Sequence, residues 1–286
     1  MTDPITDLFP PFQPDPDEPK RRRFKPVPLR VLIPNMVTLL ALCVGLTAIR
    51  LAIEGRIDGA VYAILFAALL DGIDGNLARY LKGTSRFGAE LDSLADFVNF
   101  GCVPALVLYF WILKDLKSLG WIVCLVFAIA MVLRLARFNV MLDDPTRPEW
   151  KKGFFVGMPA PMGAACVMLP LYASLAGILP SFPGLPFLVL LYTLLIAFFT
   201  ISTIPTISSK KLSQNINRSY VVPMFVVGVL IVGLLGFNTF ETLTGLILLY
   251  LASLPIGIAR YREMDRKWRA AIAEEANLPV VSPPAS

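Results

Sequence analysis

With 286 residues, 56% of them apolar and 16% charged, and a mean hydropathy of +0.67, the chain is too oily for an ordinary water-soluble domain. It contains no histidine, which excludes imidazole catalysis, phosphohistidine chemistry and His-ligated metals, so any acid or base must be a carboxylate, Lys, Tyr or Cys. The net charge of +5 is carried by basic residues flanking apolar runs, a membrane pattern, and no nucleic-acid partner is expected.

Residues 1–19 are acidic and proline-rich with no apolar run of signal-peptide kind, and they read as a disordered tail. Residues 20–30 (KRRRFKPVPLR) form a basic juxtamembrane segment, either lying on anionic headgroups or simply setting topology. Apolar runs of spanning length follow at about Val31–Ile53, Gly59–Leu81, Ala89–Leu113, Leu119–Leu142, Phe155–Leu179, Leu185–Ile207, Tyr220–Phe237 and Thr239–Ala259. The expected fold is an all-α polytopic transmembrane helix bundle of about eight spans over residues 31–260, with a cytoplasmic tail over 261–286. With the N-terminus inside, 22 Lys and Arg fall on the inner side and four (Arg50, Arg56, Lys114, Lys117) on the outer, which puts both termini in the cytoplasm. Cys43, Cys102, Cys124 and Cys166 stand singly in apolar runs without metal-ligand spacing and read as small core residues.

The stretch from Asp71 to Asp96 interrupts this pattern. Asp71, Asp74, Asp92 and Asp96 lie in or beside apolar sequence, where an ionisable group costs roughly 2.5 to 3.5 kcal/mol at a bilayer centre and so calls for a partner and a function. At about 100° per residue, Asp74, Gly75, Ala78 and Arg79 share one helical face with Asp71. Gly88, Asp96 and Asn99 share a second face with Asp92. Two helices joined by the polar turn Lys82–Arg86 can bring the faces together around one space, placing the site between helices two and three at the cytoplasmic side. Oxygen donors without His or thiolate suit Mg²⁺, Mn²⁺ or Ca²⁺ better than zinc. Gly75, Ala78 and Gly88 leave room for a ligand, and Arg79 offers a fork for phosphate or carboxylate.

Further polar groups gather on the same side. Asn35 and Thr38 open the first helix and serve either as a cap or as donor-ligand contacts. Arg134 and Arg137, three apart near the inner end of helix four, favour anion recognition over a pure topology role, whereas Arg147, Lys151 and Lys152 read as topology charges. Gly157, Pro159 and Pro161 break regular backbone at the entrance to a cavity.

The string Asp71-x-x-Asp74-Gly75-x-x-Ala78-Arg79, continuing through Gly88 and Asp92 to Asp96, resembles the complete signature of the CDP-alcohol phosphotransferases, integral membrane enzymes that transfer a phosphatidyl or similar group from a CDP-linked donor to an alcohol. The PN-x-x-T start at Pro34, Phe100-Gly101 with Pro104, RLARFN, FFVGMPAP and Ser202–Thr206 before Lys210-Lys211 resemble the bacterial members that use serine. The resemblance implies two divalent ions, Mg²⁺ or Mn²⁺, on Asp71, Asp74, Asp92 and Asp96, with Asp96 also the general base. It implies a CDP site from Asn35, Thr38, Asp71, Gly75, Ala78, Arg79 and Gly88, with Arg134, Arg137 and Asn99 at the acceptor. Asn99 departs from the family pattern, which has a small hydroxyl residue there. The implied partners are CDP-diacylglycerol, L-serine and the lipids of a bacterial inner membrane, and a homodimer is left open. Other acceptors (choline, inositol, glycerol phosphate) and, from another class, a divalent-cation transporter are the alternatives. Choline has no carboxylate for an arginine pair to bind.

Overall fold

Apolar runs in a bilayer have no water for their amides and carbonyls, so those groups must be satisfied within the chain, and helices do this. In the computed structural model the described residues are 29–83, 85–142, 154–202, 205–207 and 218–276. The acidic tail, residues 20–28 of the basic segment, Arg147, Lys151, Lys152, Thr203, Ile204, Lys210, Lys211 and residues 277–286 lie outside them. The helices are α1 (Leu29–Ile53), α2 (Ile57–Tyr80), α3 (Arg86–Asp96), α4 (Val103–Trp111), α5 (Ser118–Leu142), α6 (Ala160–Val167), α7 (Leu169–Leu175), α8 (Leu185–Ile201), α9 (Arg218–Phe237) and α10 (Thr239–Ala276). Among the described residues three helical stretches are long and apolar enough to cross a membrane: Arg30–Ile53, Arg86–Trp111 and Ser118–Met141.

The α1 and α2 helices form a hairpin because α1 carries a stripe of small residues. Ala41, Gly45, Ala48 and Ala52 recur every three or four positions and are buried, facing Ala60, Val61, Ile64 and Ala67 of α2. Small side chains let two backbones approach, so packing in lipid gains dispersion contacts where no hydrophobic drive is available. Gly55, in the left-handed region at φ 77°, turns the chain between them. The core continues through Val103, Val107 and Leu108 of α4, Phe127 and Met131 of α5, and Tyr172 of α7. Leu40, Phe66, Leu69, Ile129, Phe198 and Phe225 are exposed, an apolar outer surface that belongs against acyl chains.

The structure departs from the expected spans in four places. The third run is not one regular helix: α3 and α4 are joined by a π-helical turn, Phe97–Cys102, that re-phases the chain after Asp96. The expected fifth span, Phe155–Leu179, begins as a strand, β1 (Phe154–Val156), bends at Gly157 (φ 81°), and is split into α6 and α7 at Met168. Pro159, Pro161 and Pro170 have no amide hydrogen to continue a helical ladder through these points. The sixth ends at Ile201, where Ser202 becomes extended, and β2 (Pro205–Ile207) pairs antiparallel with β1, Phe155 opposite Thr206. Among the described residues this short ribbon is the exception to an otherwise helical fold. The last helix continues past Ala259 to Ala276, through residues expected to be tail.

The α2–α3 turn is tight. Lys82 adopts φ 50°, the Gly83 amide donates to the Ala78 carbonyl at 3.0 Å, and a Cβ at Gly83 would run into the carbonyl of Arg30. Gly83→Ala is therefore expected to lower the Tm of the detergent-solubilised protein by several degrees, the result of about 1–3 kcal/mol of overpacking. Gly72→Ala, with nothing within 4 Å of the added carbon in mid-helix, should leave Tm unchanged or raise it. Equal Tm values for wild type and Gly83→Ala would rule out so close an approach of α1 to this turn.

Candidate active site

The second half of α2 places Asp71, Asp74, Gly75, Ala78 and Arg79 along one side, and α3 returns Gly88, Asp92 and Asp96 opposite them. Ser85 fixes where α3 starts: its backbone is extended and its hydroxyl accepts the Gly88 amide at 3.0 Å, the N-cap arrangement. Oxygens of Asp71, Asp74 and Asp92 lie within 4.8 Å of one another. Asp96 lies beside Asp71, in hydrogen-bonding range of it, and close enough to Arg134 to be attracted by the guanidinium.

Asp74 is 2% exposed and is held from α1, where the Thr38 hydroxyl lies 2.6 Å from Asp74 Oδ2 and 3.2 Å from the Pro34 carbonyl. With a single hydrogen to give, the shorter contact to the charged oxygen is the stronger one. Asp71 Oδ1 and Asp74 Oδ1 are buried with no hydrogen-bond partner. Buried carboxylate oxygens left unpaired beside further carboxylates are costly, and a hard divalent cation with an all-oxygen donor set removes that cost. The residues present therefore fit such an ion.

Two cavities flank this centre. The first, of about 220 Å³, is bordered by Asn35, Thr38, Gly75, Ala78, Arg79 and Gly88, the expected nucleotide residues apart from Asp71, and by Asp74 and Asp92 of the expected metal set. Pro34, which opens the PN-x-x-T string, also borders it, as do Gly83 and Ser85, which were not singled out from the sequence, although Ser85 stands directly before an apolar-periodic run, a common N-cap position. Asn76 was missed as well: it donates to the Gly72 carbonyl at 2.7 Å and accepts from Arg79 Nη2 at 2.8 Å, steadying the guanidinium from one turn back. Its signal was the i, i+3 spacing to Arg79. The second cavity, of about 840 Å³, is bordered by Arg86, Glu90, Asp92, Ser93, Asp96, Arg134, Phe138 and Asn139 with the α6 entrance Pro159–Pro161. Asp92 and Ala89 belong to both walls, so the two spaces meet at the acidic centre.

The three expected acceptor residues part company. Arg134 faces the second cavity, its Nε donating to the Met158 carbonyl at 2.8 Å and its guanidinium 5.7 Å from the Phe138 ring centroid. Arg137 borders neither cavity; its Nη1 donates to the Ile201 carbonyl at 2.7 Å and anchors the end of α8. Asn99 also borders neither cavity. It is 2% exposed, packed inward against Gly45, and its side-chain nitrogen and oxygen have no hydrogen-bond partner.

A helical membrane bundle with an oxygen-only acidic centre between two polar cavities defines a class of site suited to metal-assisted transfer of a phosphate-bearing group. Residues 31–199 match the family described as CDP-alcohol phosphatidyltransferase, and the chain belongs to that family. Membership sets aside the cation-transporter alternative. Over 137 residues the chain is 51% identical to a CDP-diacylglycerol–serine O-phosphatidyltransferase of Mycobacterium tuberculosis, covering 48% of each chain. It is 36% identical over 137 residues to the protein of that name from Bacillus subtilis, covering 48% of this chain and 73% of the relative. It is 30% identical over 142 residues to an archaetidylserine synthase of Methanothermobacter thermautotrophicus, covering 48% and 56%. The chain thus spans about half the length of several curated relatives it matches, the mycobacterial ones among them.

If Thr38 orients Asp74 for a cation, Thr38→Val should weaken Mn²⁺ binding by about ten-fold or more, as loss of an outer hydrogen bond to a ligand typically does. Thr38→Ser should retain most of the affinity. Calorimetric titration of the purified protein makes the comparison, and wild-type affinity in Thr38→Val would reduce Thr38 to a bond within α1.

Proposed function

We propose that the chain transfers the phosphatidyl group of CDP-diacylglycerol to the hydroxyl of L-serine and releases CMP. The observation that carries this reading is the junction of the two cavities at Asp92, with Asp74, Gly75, Ala78, Arg79 and Gly88 on one side and Asp96 and Arg134 on the other. The activity named for the mycobacterial and Bacillus relatives supports the same acceptor. Asp71, Asp74, Asp92 and Asp96 would hold two divalent ions, Mg²⁺ or Mn²⁺, which when bound supply charge neutralisation at the pyrophosphate and at the attacking and leaving oxygens.

The protein's own groups do the rest. Gly75, Ala78 and Gly88 present little bulk, so the nucleotide lies against the α2 and α3 backbones with Arg79 as its fork. Asp96 accepts the serine hydroxyl proton, and the serine oxygen forms its bond to the phosphorus that carries diacylglycerol. The bond from that phosphorus to the bridging oxygen breaks, and CMP departs with that oxygen. Arg134 binds the serine carboxylate through nitrogens not used on Met158, while Arg137 supports the acceptor side from behind through the Ile201 carbonyl, and Asn99, turned onto Gly45, is left out of it.

We read the chain as an inner-membrane protein of about eight spans with both termini cytoplasmic, in keeping with the 22 to 4 division of its Lys and Arg. The acidic centre then opens to the cytoplasm, where CDP-linked groups and serine are supplied.

Purified protein in detergent, given CDP-diacylglycerol, labelled serine and Mn²⁺, is expected to release CMP and label a phospholipid, and glycerol phosphate, inositol or choline in place of serine should give little product. Efficient use of one of these and none of serine would overturn the acceptor assignment. Asp96→Asn should abolish turnover with CDP-diacylglycerol binding largely intact, while Asp71→Asn and Asp74→Asn should lose both; near-normal turnover in Asp96→Asn would remove it as the base. Arg134→Gln should raise the serine KM about ten-fold or more with little change in donor KM, from loss of a charge-assisted contact of about 1.5 to 3 kcal/mol. Equal weakening of both substrates would move Arg134 to the donor's phosphates.

A further inference from the structure

Glu90 borders the second cavity, yet no ion pair or hydrogen bond engages it among the described residues. Arg86, Glu90 and Ser93 follow each other at i, i+4 and i+7 on α3, a stripe adjoining that of Ala89, Asp92 and Asp96, and both stripes border the same space. The Glu90 carboxylate is outside the trio of oxygens that group at the acidic centre.

The charges around the cavity give Glu90 a distinct part. Asp92 and Asp96 are committed to the acidic centre, and Ser93 and Asn139 are engaged with one another at 3.1 Å. Arg86 and Arg134 are cationic and would repel an ammonium group entering between them. Among the described residues Glu90 is then the uncommitted anion on this wall. We propose that Glu90 receives the ammonium of the acceptor, so that the cavity selects a zwitterion, Arg134 binding its carboxylate and Glu90 its ammonium. The inference rests on the serine reading above and adds a specificity residue to it.

Two truncated acceptors test it with the full-length protein in detergent: 3-hydroxypropionate, which is serine without the ammonium, and ethanolamine, which is serine without the carboxylate. Each is measured as an acceptor of labelled phosphatidyl groups and as a competitor of serine, so that weak turnover does not hide binding. Glu90→Gln is expected to lower kcat/KM for serine about ten-fold or more and to leave binding of 3-hydroxypropionate within about two-fold, collapsing the preference for serine. Arg134→Gln should instead collapse the preference over ethanolamine. Glu90→Asp, which keeps the charge, should keep the serine preference even where overall activity falls. Equal losses with both acceptors in Glu90→Gln, or no loss with either, would overturn the assignment. A wild-type protein that makes no product from serine would overturn the acceptor reading itself, before any variant is compared.

Discussion

Everything in this protein is arranged around a repulsion. Four aspartates from two helices face one space at the edge of an apolar bundle, and carboxylates that close in a poorly solvated site disfavour one another's charge. Water, a cation or a proton must settle the account. The donor set, oxygen only with two buried oxygens lacking partners, favours a hard divalent cation. Once a cation is required, the small residues beside it are required too, because the phosphates it attracts must come within reach of the helix backbones.

The rest of the fold braces that centre. The α1 helix lies along α2 through its small-residue stripe, and this same close packing delivers Thr38 to Asp74. Gly83 lets the start of α1 approach the α2–α3 turn, so the helix that steadies Asp74 also borders the first cavity. On the opposite flank α5 uses two arginines on two different backbone carbonyls, Met158 just after β1 and Ile201 at the end of α8. Those contacts pin the two chain segments that meet in the β1–β2 ribbon. One of the two guanidinium groups is left facing the second cavity.

Much of the centre was legible in the sequence because helical period is a rigid ruler. Asp71 to Arg79 and Gly88 to Asp96 both lie within regular helix, so faces counted at about 100° per residue are the faces observed. The count failed at Asn99 for a physical reason. It lies in the π-helical turn, whose wider winding rotates the chain and sends the amide inward onto Gly45 instead of along the face of Asp92. Arg134 and Arg137 were expected on one face, yet they part: Arg134 borders the second cavity and Arg137 does not, because the carbonyl each one meets depends on where α6 begins and α8 ends, and that is set by tertiary packing. The broken fifth run was misjudged as a continuous span because hydropathy records partition into lipid and not the ability to sustain a hydrogen-bond ladder. The break at Gly157, Pro159 and Pro161 was read from the sequence; the split at Met168 was not, and Pro170 carried that information.

The central claim is that α2 and α3 share one cation-binding centre, and anomalous diffraction at the manganese edge tests it most directly. Crystals of the full-length protein grown with Mn²⁺ and a CDP-linked donor are predicted to show two peaks about 3.5 to 4 Å apart between Asp71, Asp74, Asp92 and Asp96, as two-metal transfer sites do. Manganese bound only elsewhere, or no peak between these helices with the donor in place, would contradict the account.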